Sequence, residues 1–123
     1  MIYVVLSIGS NHGDRYVNVR EAREWLSEVL TDFRSSRIYE TEGAGSCNRR
    51  YMNCVVRGYF EASLSALESM CKDYEKKHGR NDELRRENFV PVDIDVVVSD
   101  NVILKTWDFN QAFFKRGFVE IQQ

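Results

Sequence analysis

The chain has 123 residues, 43% of them hydrophobic and 29% charged, which is one domain's worth of sequence with enough apolar side chains for a single core. Its 17 basic and 19 acidic residues leave a formal charge of -2. That balance offers no whole-molecule attraction to nucleic acid or to an anionic membrane, so any polyanionic ligand has to be handled locally.

The first apolar run, Ile2 to Ile8, reads as a buried strand punctuated by Gly9-Ser10-Asn11-His12-Gly13. It is too short, and lacks the basic flank, for a signal peptide or a membrane span. Asp14 can cap a helix whose apolar positions Val19, Ala22, Leu26, Val29 and Leu30 follow helical spacing, with an end expected near Thr31 to Arg34. Ser36 to Thr41 reads as a strand, Glu42 to Arg50 as a glycine-bearing loop, and Tyr51 to Phe60 as a further strand. Ser63 caps a second helix with Leu64, Leu67, Met70, Cys71 and Tyr74 inward, closing at Gly79. A charged loop from Arg80 to Asn88 leads into another strand, and Asp100-Asn101 turns the chain into Val102 to Leu104. The order is β-α-β-β-α-β. It predicts an α+β, ferredoxin-like domain spanning residues 1–123, an antiparallel sheet with both helices on one face. Cys47, Cys54 and Cys71 are odd in number and not closely spaced, with His12 and His78 as the available helpers. They read as reduced thiols of a cytoplasmic protein, not as a zinc site or a disulfide framework.

The strand Val90-Pro91-Val92-Asp93-Ile94-Asp95-Val96-Val97-Val98 carries the chemistry. Strand alternation sets Asp93 and Asp95 on one face, roughly 7 Å apart at the backbone, and Val92, Ile94, Val96 and Val98 on the other. Two like charges so placed repel unless a cation lies between or above them. Hard Mg²⁺, held by one or two carboxylates together with waters and substrate phosphates, answers that requirement. A solvated acidic edge strand that blocks aggregation is the alternative reading of the pair alone.

Short motifs then accumulate in a recognisable order: Gly9-Ser10-Asn11, Tyr39 and Thr41, Tyr51-Met52-Asn53, Glu75 with Gly79-Arg80, Asp93-Ile94-Asp95, and Arg116-Gly117-Phe118. With these the chain resembles hydroxymethyldihydropterin pyrophosphokinase, a folate-pathway enzyme family. The resemblance implies transfer of the terminal pyrophosphoryl group of ATP to the hydroxymethyl oxygen of a reduced pterin. It implies two Mg²⁺ ions on Asp93 and Asp95, with Arg80 beside these two as the catalytic set. It assigns Thr41, Tyr51, Asn53 and Phe118 to the pterin, and Glu75, Arg80 and Arg116 to the nucleotide. Independently of the family, Tyr51 and Asn53 lie two apart on a strand and so share a face. The partners so implied are small molecules, the pterin and ATP, with no nucleic acid and no membrane.

The chain also departs from the family pattern. Val90 holds the place of an arginine that contacts the transferring phosphates, and a valine cannot replace a planar cationic fork. Arg85 or Arg86 can reach in from the same loop. Asn110-Gln111 replace a His-Tyr pair, and Glu42-Gly43 replace a proline-rich wall. Two alternatives follow: a non-catalytic pterin- or nucleotide-binding paralogue, and an RNA-binding or small-ligand regulatory module on the same scaffold with Tyr3, Tyr51 and Phe118 as a stacking platform. The acidic pair argues against RNA.

Overall fold

The computed structural model describes residues 1–43 and 49–122; Cys47 and most of the expected glycine-bearing loop lie outside them. The strands are β1 (Ile2–Ser10), β2 (Thr31–Ser35), β3 (Tyr39–Thr41), β4 (Tyr51–Phe60), β5 (Asp93–Ser99) and β6 (Val102–Ile103). The helices are α1 (Arg15–Val29), α2 (Leu64–Lys77), α3 (Asp82–Arg86), α4 (Thr106–Phe109) and α5 (Ala112–Ile121). One antiparallel sheet runs β2-β4-β1-β5-β6, with β3 continuing beside β4. This is the α+β, ferredoxin-like arrangement, with β1 and β4 central.

Both long helices start on a side-chain cap that satisfies an otherwise orphaned N–H. Asp14 accepts from the Val17 N–H at 3.2 Å, and Ser63 accepts from the Ala66 N–H at 3.2 Å. Their apolar stripes, Val19, Ala22 and Leu26 on α1 and Leu67 and Cys71 on α2, pack on Val4, Leu6, Ile8, Cys54, Val56, Ile94 and Val96. At the end of α2, Gly79 takes φ +99, a left-handed conformation that costs glycine nothing, and the Arg80 N–H reaches back to the Glu75 carbonyl at 3.0 Å. The helix therefore stops where Arg80 is turned back toward β5.

The structure corrects four sequence expectations. First, α1 ends at Val29, and Thr31 to Ser35 form β2. The expected strand Ser36 to Thr41 is broken because Ser36 spends both backbone and side chain on one partner: its N–H donates to the Val55 carbonyl (2.8 Å) and its Oγ accepts from the Val55 N–H (2.9 Å). Second, the charged loop after Arg80 contains α3, capped by Asn81 Oδ1 on the Leu84 N–H at 2.9 Å. Third, Val98 does not join Val92, Ile94 and Val96. A register shift opposite Val5 and Leu6 breaks the alternation, so Val97 and Val98 both pack in a second cluster with Val5, Val55, Phe114 and Ile121. Fourth, helices do not occupy one face alone. The C-terminal segment folds into α4 and α5, and α5 covers the sheet face opposite α1 and α2.

Gly117 explains how closely α5 docks. A Cβ there would stand 2.6 Å from Val55 Cγ2 and 2.7 Å from the Tyr39 hydroxyl oxygen. The Tyr39 hydroxyl donates to the Phe113 carbonyl and accepts from the Gly117 N–H at 3.0 Å. Tyr39 and Gly117 thus fasten the helix to the sheet, and α5 leaves the other end of that face open.

Candidate active site

Register places the chemistry at the open end. Gly9 stands between Asn53 on β4 and Asp93 on β5, Ser7 lies beside Asp95, and Thr41 pairs with Tyr51. A cavity of about 190 Å³ is lined by these residues and by Glu42, Trp107, Asp108 and Phe113. One end carries the two aspartates; the rest is aromatic and amide. Gly9 is needed in its floor, because a Cβ would sit 3.1 Å from Asn53 Oδ1 and 3.4 Å from the Tyr51 ring. Asn53 is itself buried and donates through Nδ2 to Thr41 Oγ1, which leaves its carbonyl oxygen turned toward Gly9.

The aspartates are held from the open side of β5. β6 pairs with Val98 and Ser99, and lower down a side chain takes the place of a strand partner. Glu75, buried on the last turn of α2, accepts the Ile94 N–H at 2.8 Å through Oε2. Its Oε1 accepts from Arg80 Nη1 at 3.2 Å, and the same Nη1 donates to Asp93 Oδ1 at 2.8 Å. Lys72 reaches Glu75 Oε2 at 3.3 Å and Asp95 Oδ1 at 3.7 Å, and Lys105 reaches Asp95 Oδ1, also at 3.7 Å. Three carboxylates thus face three cations. Burial, then the neighbouring Asp93 charge, pushes the Asp95 carboxyl up to about 8 despite both lysines. Burial works the same way on Asp93, but the hydrogen bond from Asp95 and the Arg80 guanidinium outweigh it and hold Asp93 below the ordinary carboxylate range. The two carboxyls are thus driven in opposite directions, Asp93 toward the ionised form and Asp95 toward the protonated one.

The Asn11 side chain explains the first motif. Its Nδ2 donates to the Asn88 carbonyl at 2.9 Å, its Oδ1 accepts from the Val90 N–H, and its backbone N–H donates to the Val90 carbonyl at 2.9 Å. Asn11 therefore ties the end of β1 to the loop that introduces the aspartate strand.

Of the residues singled out from sequence, Thr41, Tyr51, Asn53, Asp93 and Asp95 line one cavity. Arg80 joins them through Asp93. Glu75 is buried behind the aspartates and lines a neighbouring cavity with Arg80. Arg116 lies over the Tyr39 ring, 4.6 Å from its centroid, and donates to the Glu40 carbonyl at 3.1 Å. Phe118 is placed elsewhere: it stacks on Phe114 at 5.2 Å between centroids and meets Phe109 edge-on at 5.3 Å, in the apolar cluster under α5. The rings that α4 and α5 present to the cavity are Trp107 and Phe113, which sequence reasoning missed. The signal was available, since Phe114, Gly117 and Ile121 follow helical spacing and mark the buried face, leaving Phe113 off it. Nor do Tyr3, Tyr51 and Phe118 form a platform. Tyr3 pairs with Tyr59 at the far end of β4 from Tyr51 and packs on it at 5.3 Å.

Among the described residues no three His, Cys, Asp or Glu side chains form a ready-made metal cage. The donor set is two carboxylates on one strand face, with Asp95 Oδ1 already drawing two cations. That fits a hard divalent ion that takes one or two protein carboxylates and completes its shell with water and phosphate.

The family model for 7,8-dihydro-6-hydroxymethylpterin-pyrophosphokinase (HPPK) matches residues 5–123. The chain belongs to this family. A folate synthesis bifunctional protein of Arabidopsis thaliana is 29% identical over 94% of the chain and 25% of its own length. A 2-amino-4-hydroxy-6-hydroxymethyldihydropteridine pyrophosphokinase of Aquifex aeolicus is 30% identical over 86% of the chain and 66% of its own length. A mitochondrial folate synthesis bifunctional protein of Pisum sativum is 32% identical over 76% of the chain and 18% of its own length. The chain thus spans a quarter or less of these bifunctional relatives. None of the helices is long and apolar enough to cross a membrane, among the described residues.

Proposed function

We propose that this protein transfers pyrophosphate from ATP to the hydroxymethyl group of a reduced pterin, with Mg²⁺, as a step of folate biosynthesis in the cytoplasm. The observation that carries the proposal is the single cavity that joins the aspartate pair to a wall of Tyr51, Asn53, Phe113 and Trp107. The cytoplasmic location rests on Cys54 and Cys71, which are both free and buried.

A flat, hydrogen-bonding heterocycle lies between Tyr51 and Phe113 in this reading, where aromatic faces contribute without demanding a fixed edge pattern. The Asn53–Thr41 pair supplies the edge recognition, its amide locked by the hydrogen bond to Thr41. Asp93 and Asp95 would hold Mg²⁺, which when bound neutralises polyphosphate charge and aligns attacking and leaving oxygens. Arg80 and Glu75 hold Asp93 and the β5 backbone at Ile94 in place. In the reaction the pterin hydroxymethyl oxygen bonds to the β-phosphorus of ATP as the bond from that phosphorus to the α,β-bridging oxygen breaks. AMP leaves, and the hydroxyl proton is released to a base or to water.

The test is AMP release from ATP with reduced hydroxymethylpterin and Mg²⁺, beside calorimetric binding of each ligand. AMP formation that depends on pterin supports the reading; no affinity for any reduced pterin, with or without nucleotide, refutes it. A second reading, a non-catalytic binding paralogue, is favoured by Val90 at the place of the family arginine. Pterin and nucleotide binding without AMP would select it.

A further inference from the structure

Val90 leaves the polyphosphate one cation short in the resemblance, and the structure contains two cations whose present engagement is with a carboxylate that a metal would claim. Lys72 Nζ and Lys105 Nζ both approach Asp95 Oδ1 at 3.7 Å, from α2 and from the residue that precedes α4. Their side chains are 53% and 42% exposed, whereas Asp95 is 14% exposed. The carboxylate is fixed in the fold, and the lysine heads are on flexible stems at its rim. Lys72 is also held by Glu75 Oε2 at 3.3 Å, whereas the ion pair of Lys105 is with Asp95. Arg80, held by Glu75 and Asp93, is less exposed than either lysine, at 23%. Lys72 and Arg80 also line a neighbouring cavity of about 210 Å³ with Lys76 and Arg85, where these four cations face Glu75 and Asp82.

We propose that Lys72 and Lys105 are exchangeable cations of the aspartate site: they rest against Asp95 in the metal-free protein and clamp the triphosphate once a divalent cation takes Asp95. The inference rests on the reading of this site as one for a metal–nucleotide complex. The charge balance makes the exchange self-consistent. A cation arriving at Asp95 displaces two ammonium groups, which then lie within a side chain's reach of the phosphates that the cation brings with it. Lysine suits this exchange, being a strongly hydrated point charge on a flexible stem.

An ordinary structural ion pair and an exchangeable cation predict different signs. The experiment compares wild type with Lys72→Gln, Lys105→Gln and Lys72→Arg, measuring three affinities: Mn²⁺ alone, a methylene-bridged ATP analogue with Mg²⁺, and reduced hydroxymethylpterin alone. Each Gln variant should bind Mn²⁺ alone more tightly and the metal–nucleotide more weakly, each by up to about fivefold, the upper end for an exposed ion pair. Lys72→Arg should restore nucleotide affinity, and pterin affinity should not move. Lys105→Gln leaves the Glu75 network intact, so it tests the idea even if Lys72→Gln folds poorly. Affinities for Mn²⁺ and for metal–nucleotide that fall together, or that stay unchanged in both Gln variants, overturn the inference, as does a wild type that binds no metal–nucleotide. Opposite shifts in a protein with no pterin affinity would uphold the exchange and sink the proposed pterin substrate instead.

Discussion

Replacing Asp95 by asparagine should stabilise the metal-free protein, by an amount that grows with pH. The folded-state carboxyl is pushed up to about 8, by burial and then by the Asp93 charge, from an unfolded value of 3.8. Below the unfolded value both states hold the proton, and ionisation carries no penalty. Between there and about 8 the unfolded chain releases the proton while the folded chain keeps it, so stability falls as pH rises; above the folded value both are ionised and the loss is complete. A full one-proton difference is worth about 1.4 kcal/mol per pH unit, so wild type should lose on the order of 1–3 kcal/mol between about pH 5 and pH 7 that the Asn variant does not. The lysines released from Asp95 are exposed enough to be rehydrated at little cost. Thermal unfolding in chelator, across that pH range, reads the difference as a melting-temperature gap of roughly 4 °C per kcal/mol, widening with pH. Mg²⁺ with ATP should raise the wild-type melting temperature and leave the variant's unchanged. Parallel wild-type and variant curves over the whole range would refute the charge-frustration argument.

Phe113→Ala should weaken reduced-pterin binding by about 1–3 kcal/mol, by analogy with base stacking on aromatic side chains, because its ring lines the cavity. Phe118→Ala should lower stability and leave pterin binding unchanged, because its ring packs on Phe109 and Phe114; calorimetry measures both variants, and equal binding losses would contradict the placement of the two rings. Gly117→Ala should destabilise by about 1–3 kcal/mol through overpacking, since its Cβ would stand 2.6 Å from Val55. Denaturant titration measures it, and an unchanged midpoint would mean that α5 is free to move away. Burial pushes the Cys54 and Cys71 thiols up to about 12. A Cys47→Ser variant should therefore resist a thiol reagent at about pH 8 until it is unfolded, and rapid labelling of the native protein would show that one of these thiols is accessible.

Local chemistry decides which parts of this structure were legible in the sequence. The caps Asp14 and Ser63, the stripe Val19-Ala22-Leu26 and the terminator Gly79 each act within a turn or two, and each element they mark exists. The face shared by Asp93 and Asp95 follows from strand alternation alone. Boundaries set by distant partners were not legible: β2 and β3 separate because Ser36 meets Val55, a residue from another strand. The register shift beside Val5 and Leu6 is a property of two strands together, so Val98 could not be assigned to its face from its own segment. The C-terminal helix was missed for a different reason. In the Arg116-Gly117-Phe118 motif the glycine serves the packing of α5 on Val55 of β4, and the ring packs on Phe109 and Phe114, contacts that the motif alone does not reveal.

A motif can encode support for a site as well as contact with a ligand. Gly9, Asn11, Glu75, Gly79 and Gly117 recur in the same short signatures as the aspartates, yet their surroundings are backbone, loop and neighbouring side chains. Gly9 keeps the cavity floor open, Asn11 fixes the approach to β5, and Glu75 replaces a strand partner at Ile94. Gly79 turns Arg80 toward Asp93, and Gly117 lets α5 come down on Val55. The result is a rigid frame around two carboxyls, one of them buried where its charge is disfavoured. Such a frame stores unfavourable electrostatics that packing elsewhere must offset, which is a cost that a binding site carries and an inert acidic edge would shed. An edge strand that used its acids to block aggregation would leave them solvated. Here Asp95 is 14% exposed and ringed by a second carboxylate and two lysines, and that burial is the physical reason to read the pair as a site.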